Sequence, residues 1–125
     1  MLAELCPDLA EWPQRWRFDD GDVEFGRKML DVLTPFLRHL LTTELSRKTL
    51  TRHRDHLWML GGELVRRLYD EPSLRKEPPT AVLLHYLDDE SGPLIYPSIT
   101  EAQQRAFDAT CRKLYRFLSK ARATG

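Results

Sequence analysis

The sequence predicts an all-α fold: a four-helix, bundle-like single domain over residues 22–125, preceded by an irregular arm over residues 1–21. Three observations carry that expectation. Large apolar residues recur every three or four positions through three long stretches, the spacing that gathers them on one face of a helix. No segment alternates with period two for long enough to form a strand. Proline and glycine clusters fall between the periodic stretches, where they stop helices.

The arm is punctuated by Pro7 and Pro13 and supplies three large aromatics, Trp12, Trp16 and Phe18. These rings are expected to lie across the helical body. Alternatively they form an exposed aromatic patch for a partner, since large exposed apolar patches usually mark binding. The arm and the residues after it are acidic, with Asp8, Glu11, Asp19, Asp20, Asp22 and Glu24 against Arg15 and Arg17.

From about Asp22 to Thr42, Phe25, Met29, Leu33, Phe36 and Leu40 repeat with helical spacing. Asp20 or Asp22 can cap the start, where a carboxylate suits the positive end of the helix dipole. Pro35 lies inside the pattern and should kink or split the helix, because it removes a donor and crowds the preceding turn. Ser46 is a good N-cap for the next helix. That helix carries an apolar stripe of Leu50, Leu57, Leu60, Leu64 and Leu68, bordered by Trp58. Gly61-Gly62 interrupts it at about 1 kcal/mol per glycine relative to alanine, which points to close packing against another helix. Residues 70–79 form a linker stopped by Pro72, Pro78 and Pro79. Thr80 is expected to cap a short helix from Ala81 to about Leu87. An acidic turn, Asp88 to Pro93, and a short extended connector follow. The last helix should begin at a capping box, Ser98 with Glu101 or Thr100 with Gln103. It runs to about Lys120, with Phe107, Cys111, Leu114, Phe117 and Leu118 inward.

A chain of 125 residues with 42% apolar and 30% charged residues has the size and composition of one globular domain. Lys and Arg together number 19, as do Asp and Glu. That balance counts against a dedicated nucleic-acid binder, which is usually basic overall, unless the charges are segregated. Cys6 and Cys111 are expected to be reduced thiols. The N-terminal residues lack the pattern of a secretory signal and no stretch has the ~18 apolar residues of a membrane span, so the cytoplasm is the expected location and no membrane partner is expected.

Chemistry-bearing patterns are sparse. His53 and His56 are three apart, on neighbouring positions of one helix face, but no recognised spacing completes a metal site. The carboxylate pairs Asp19-Asp20 and Asp88-Asp89 sit in turns that Asp favours for its own backbone bonding. No phosphate loop or nucleophile motif occurs. No catalytic residue, metal, cofactor or small-molecule substrate is therefore expected.

The charge pattern says more. Between Ser46 and Arg67 the cations Arg47, Lys48, Arg52, Arg54, Arg66 and Arg67 face two acids, Asp55 and Glu63. The last helix carries Arg105, Arg112, Lys113, Arg116, Lys120 and Arg122 against Asp108. Arg105, Arg112 and Arg116 are spaced seven and four apart and so align on one face. Such stripes can follow a phosphate backbone. They also suit an ordinary solvated helix surface paired with the acidic arm.

The segment Phe36-Leu37-Arg38-His39-Leu40-Leu41, then Leu45-Ser46-Arg47-Lys48-Thr49-Leu50-Thr51-Arg52-His53-Arg54, is similar to the core-binding domain of tyrosine recombinases. The residue-level likeness covers Phe25 to Leu68, and Leu83 to Leu118 follow only in the order of elements. The resemblance implies a four-helix unit that clamps DNA. It carries over no recombinase activity, because no catalytic Arg, His-x-x-Arg and Tyr set maps onto this sequence.

The sequence thus points first to a non-enzymatic protein that binds or associates with duplex DNA, linked through the resemblance to a mobile element. Arg47, Lys48, Arg52, Arg54, Arg105, Arg112 and Arg116 would be its contacts. The second expectation is a protein-interaction domain, a homodimer or accessory subunit, with Trp12, Trp16, Trp58 and Tyr115 at its interface, where Trp, Tyr and Arg are enriched.

Overall fold

Each long helix follows the apolar spacing that predicts it. A computed structural model describes residues 1–124, with side chains through Ala121. The elements are α1 (Leu2–Leu5), a 3-10 turn (Leu9–Glu11), α2 (Trp12–Trp16), α3 (Gly21–Leu41), α4 (Arg47–Asp70), a second 3-10 turn (Pro72–Lys76), α5 (Pro79–Tyr86) and α6 (Glu101–Thr124). No strand occurs among the described residues. The fold is all-α.

The core is the sum of the predicted stripes. Phe25, Met29, Leu33, Phe36, Leu37 and Leu40 of α3 meet Leu57, Leu60, Leu64 and Leu68 of α4, with Phe107, Cys111, Leu114 and Leu118 of α6 and Val82 and Leu83 of α5. The helices α4 and α6 run antiparallel, because His53 and His56 meet Thr110 while Arg67, farther along α4, reaches back to the carbonyl of Leu94.

Local signals place the helix starts. Ser46 Oγ accepts the Thr49 amide at 3.1 Å. Thr100 and Gln103 form a reciprocal capping box, each side chain accepting the other's backbone N–H, so the second of the two predicted frames is the one used. Pro35 does not split α3, which is continuous from Gly21 to Leu41. Its side lies toward solvent, and one missing donor within a long helix leaves the other rungs intact. The predicted Thr80 cap is not formed. Helix α5 starts two residues earlier, at Pro79, whose fixed φ suits a first turn.

The predicted irregularity of residues 1–21 is corrected: most of the arm is helical. Pro13 falls in the first turn of α2, where proline needs no donor. Packing then completes what so short a helix cannot hold alone. Trp12 and Trp16 are buried, and with Trp58 they form a cluster with ring centroids 5.6–5.9 Å apart. Trp16 Nε1 donates to the Trp58 carbonyl at 3.0 Å. Two glycines admit α2 to this position. A Cβ at Gly26 would stand 2.9 Å from Pro13 Cβ, and one at Gly61 would stand 2.2 Å from the Trp16 ring. The glycine pair of α4 does therefore mark a close helix contact, with Gly61 as the residue that requires it.

Candidate functional site

The predicted basic residues do not form two intact stripes. Arg47 and Arg54, one on each side of two helical turns, both reach the arm. Arg47 Nη2 donates to the Glu4 carbonyl at 3.2 Å, and Arg54 Nη1 donates to the Leu5 carbonyl at 2.9 Å. Arg54 also pairs with Asp55 at 2.8 Å. These two guanidiniums bond the orphan carbonyls at the end of α1, a short helix that has few other ways to satisfy them. Arg112 is similarly held, donating to the Glu90 carbonyl of the acidic turn at 3.0 Å. Arg105 is exposed near the start of α6. Lys48, Arg52 and Arg116 are exposed and point elsewhere than the arm.

What the fold brings together is a different set. Lys48 and Arg52 line a shallow groove between α4 and the first turns of α6. Farther along α6, Lys113 and Arg116 line the mouth of a cavity of about 700 Å³. His53, next to Arg52 on α4, is 5% exposed. Burial pushes the His53 imidazolium down from 6.5 to about 4, and the charges of Lys113, His56 and Arg52 add to that shift. Arg52 from α4 and Lys113 from α6 therefore bear on one buried ring from two helices. His56 is also lowered, first by burial and then by Arg52.

Lys113 is the residue that spacing along Arg105, Arg112 and Arg116 passes over. The signal for it was present. Lys113, Arg116 and Lys120 are three and four apart, which defines a neighbouring face of the same helix.

Beneath this surface the two histidines share a single hydroxyl. His53 Nδ1 and His56 Nδ1 each lie 2.6 Å from Thr110 Oγ1. That oxygen has one proton to give, so at least one ring must carry its own proton at Nδ1 and donate. His53 Nε2 is buried without a hydrogen-bond partner. No three His, Cys, Asp or Glu side chains converge as a metal ion requires among the described residues.

The predicted interface aromatics separate. Trp12 and Trp16 belong to the core, because their rings fill the cleft that Gly26 and Gly61 open. They are corrected from surface to interior. Trp58 keeps 37% of its surface exposed, and Tyr115 is half-buried on the wall of the 700 Å³ cavity. Both cysteines are free and buried. Burial raises Cys6 to about 11 and raises Cys111 further, so neither is an activated thiolate.

Comparison with known protein families, curated proteins and solved structures finds no match to this chain. Among the described residues, no helix is long and apolar enough to cross a membrane.

Proposed function

We propose that this protein binds duplex DNA without catalysis, through a cationic surface built from Lys48 and Arg52 on α4 and Lys113 and Arg116 on α6. The observation that carries the reading is the packing of α4 on α6 at the His53–Thr110 bond of 2.6 Å, which sets Arg52, beside His53, and Lys113, about one turn beyond Thr110, on adjoining parts of two packed helices. Two basic segments that are far apart in sequence would then contribute to one surface. The zero net charge is then a sum over segregated regions, and phosphates respond to the local field rather than the total. The likeness of Phe25–Leu68 to the core-binding domain of tyrosine recombinases supports the same reading, as a DNA-clamping module related to mobile elements.

Four neutralised phosphates imply a log–log salt slope near −4, and an affinity loss of about 10²-fold between roughly 50 and 200 mM salt. Fluorescence anisotropy of a labelled duplex measures both. Lys113→Glu with Arg116→Glu should abolish binding at the lower salt. Arg112→Glu should weaken it much less, because Arg112 is already committed to the Glu90 carbonyl. Absence of binding at the lower salt, or equal effects of the two charge reversals, would overturn the proposal.

A further inference from the structure

The end of the bundle that carries Lys113 and Arg116 holds a half-open cavity. A cavity of about 700 Å³ lies between the last turns of α3, the connection to α4 and the C-terminal half of α6. Sites for small organic ligands typically measure ~300–1,000 Å³ and are mostly apolar, with a few polar groups that fix orientation. This cavity has that division. Phe36, Leu40, Leu45 and Phe117 line its apolar side. Phe117 packs against both Phe36 and His39, with ring centroids at 5.4 and 5.2 Å, which holds the aromatic wall in place. Lys113 and Arg116 stand among its polar lining, and no carboxylate lines it among the described residues.

An apolar wall beside three cations, Lys113, Arg116 and Lys120, discriminates by charge as well as by shape. A neutral amphiphile would fill the cavity and leave Lys113 and Arg116 to solvent alone. A cationic one would be repelled. A molecule with an apolar body and one anionic head satisfies both parts, since a charge-assisted bond from Lys or Arg to a carboxylate is among the stronger polar contacts. We infer that this cavity binds an amphipathic organic anion, a free carboxylic acid with a medium-length acyl body. The inference shares Lys113 and Arg116 with the nucleic-acid reading but does not depend on it, and its test contains no DNA.

The probes are decanoate, decanol and decyltrimethylammonium, each below its micellar concentration and titrated into isotope-labelled protein followed by amide NMR shifts. Decanoate should give saturable shifts confined to Phe36–Leu45 and Lys113–Ala121. Decanol should bind about tenfold more weakly, the equivalent of one lost charge-assisted contact, and the ammonium should not saturate. Lys113→Ala with Arg116→Ala, at two exposed positions whose loss leaves the core untouched, should bring decanoate down to the affinity of decanol. Leu45→Trp should fill the cavity and remove both. Equal binding of decanoate and the ammonium, saturable shifts centred elsewhere, no saturation by decanoate, or full decanoate affinity in the double alanine variant would each overturn the assignment.

Discussion

At the scale of single residues, His53 is a buried ring whose surroundings oppose its charged form. Its ring is buried, and one nitrogen is bonded to Thr110 while the other has no hydrogen-bond partner. The charged groups around it are Lys113 on α6 and Arg52 on its own helix, with His56 also adding to the downward shift. Every one of these contributions opposes a charged imidazolium. The unfolded chain takes up a proton at His53 as pH falls through 6.5, whereas the folded chain resists until about 4. Stability that is complete above that window is therefore lost across it, by about 3 kcal/mol at most, and the loss levels off below it. His56 acts in the same direction. Replacing His53 by Gln keeps an amide able to bond Thr110 and removes the titration. Urea unfolding at about pH 7 and about pH 4.5 should show a markedly flatter pH dependence for His53→Gln than for the parent chain. An unchanged pH dependence would mean that His53 is solvated in the native state. None of this was legible from the sequence, where two histidines three apart on a helix look like any boundary pair. Their shared partner, Thr110, lies 57 residues beyond His53.

At the scale of elements, the signals that act over a few residues were readable and those that act across the chain were not. The Ser46 cap and the Thr100–Gln103 box are local exchanges between side chains and nearby amides. So are the apolar stripes of α3, α4 and α6. The arm is different, because its helices are shorter than can persist alone and are held by tertiary contacts. Two prolines in its sequence argue for irregularity unless one knows that Pro13 sits in a first turn. The Trp12 and Trp16 spacing of four was the available sign of a buried helical face. Docking of α2 on α4 turns on the glycine pair, and the two members should answer oppositely to alanine. At Gly61 the new Cβ falls 2.2 Å from the Trp16 ring, so a buried indole must move. Overpacking of that kind costs about 1–3 kcal/mol, more than the ~1 kcal/mol that helix propensity returns. At Gly62 the nearest Trp16 atom is 3.4 Å away, an ordinary contact, so the propensity gain of up to ~1 kcal/mol should survive. Denaturant midpoints should therefore fall for Gly61→Ala and hold or rise for Gly62→Ala. A fall of equal size in both would show that α2 does not rest on Gly61.

Across the whole molecule, the neutral total hides a division along the length of α3. At its start, Asp22 is fully buried, accepts the amides of Phe18 and Asp19, and faces Arg75 at 3.1 Å. Asp19 joins the same group through Arg75 and Tyr69. At its far end, roughly 27 Å away at 1.5 Å per residue, Phe36 and Leu40 line the cavity whose polar lining includes Lys113 and Arg116. Helix periodicity could suggest that cations gather on α4 and α6. It could not reveal that α1 and the Glu90 turn withdraw Arg47, Arg54 and Arg112, since those acceptors are backbone carbonyls at distant positions. The cations left over serve both proposals, which gives the two a shared consequence. A carboxylate held by Lys113 and Arg116 would neutralise one of the four charges offered to phosphate. Saturating decanoate should then reduce the salt slope of duplex binding by about 1 and weaken binding most at low salt. In Leu45→Trp, where the cavity is filled and the four cations remain, duplex affinity should be insensitive to decanoate. Anisotropy titrations with and without decanoate decide the matter. If decanoate saturates the cavity while the duplex titration is unchanged, Lys113 and Arg116 face the cavity alone, and the phosphates are held by Lys48, Arg52 and other cations.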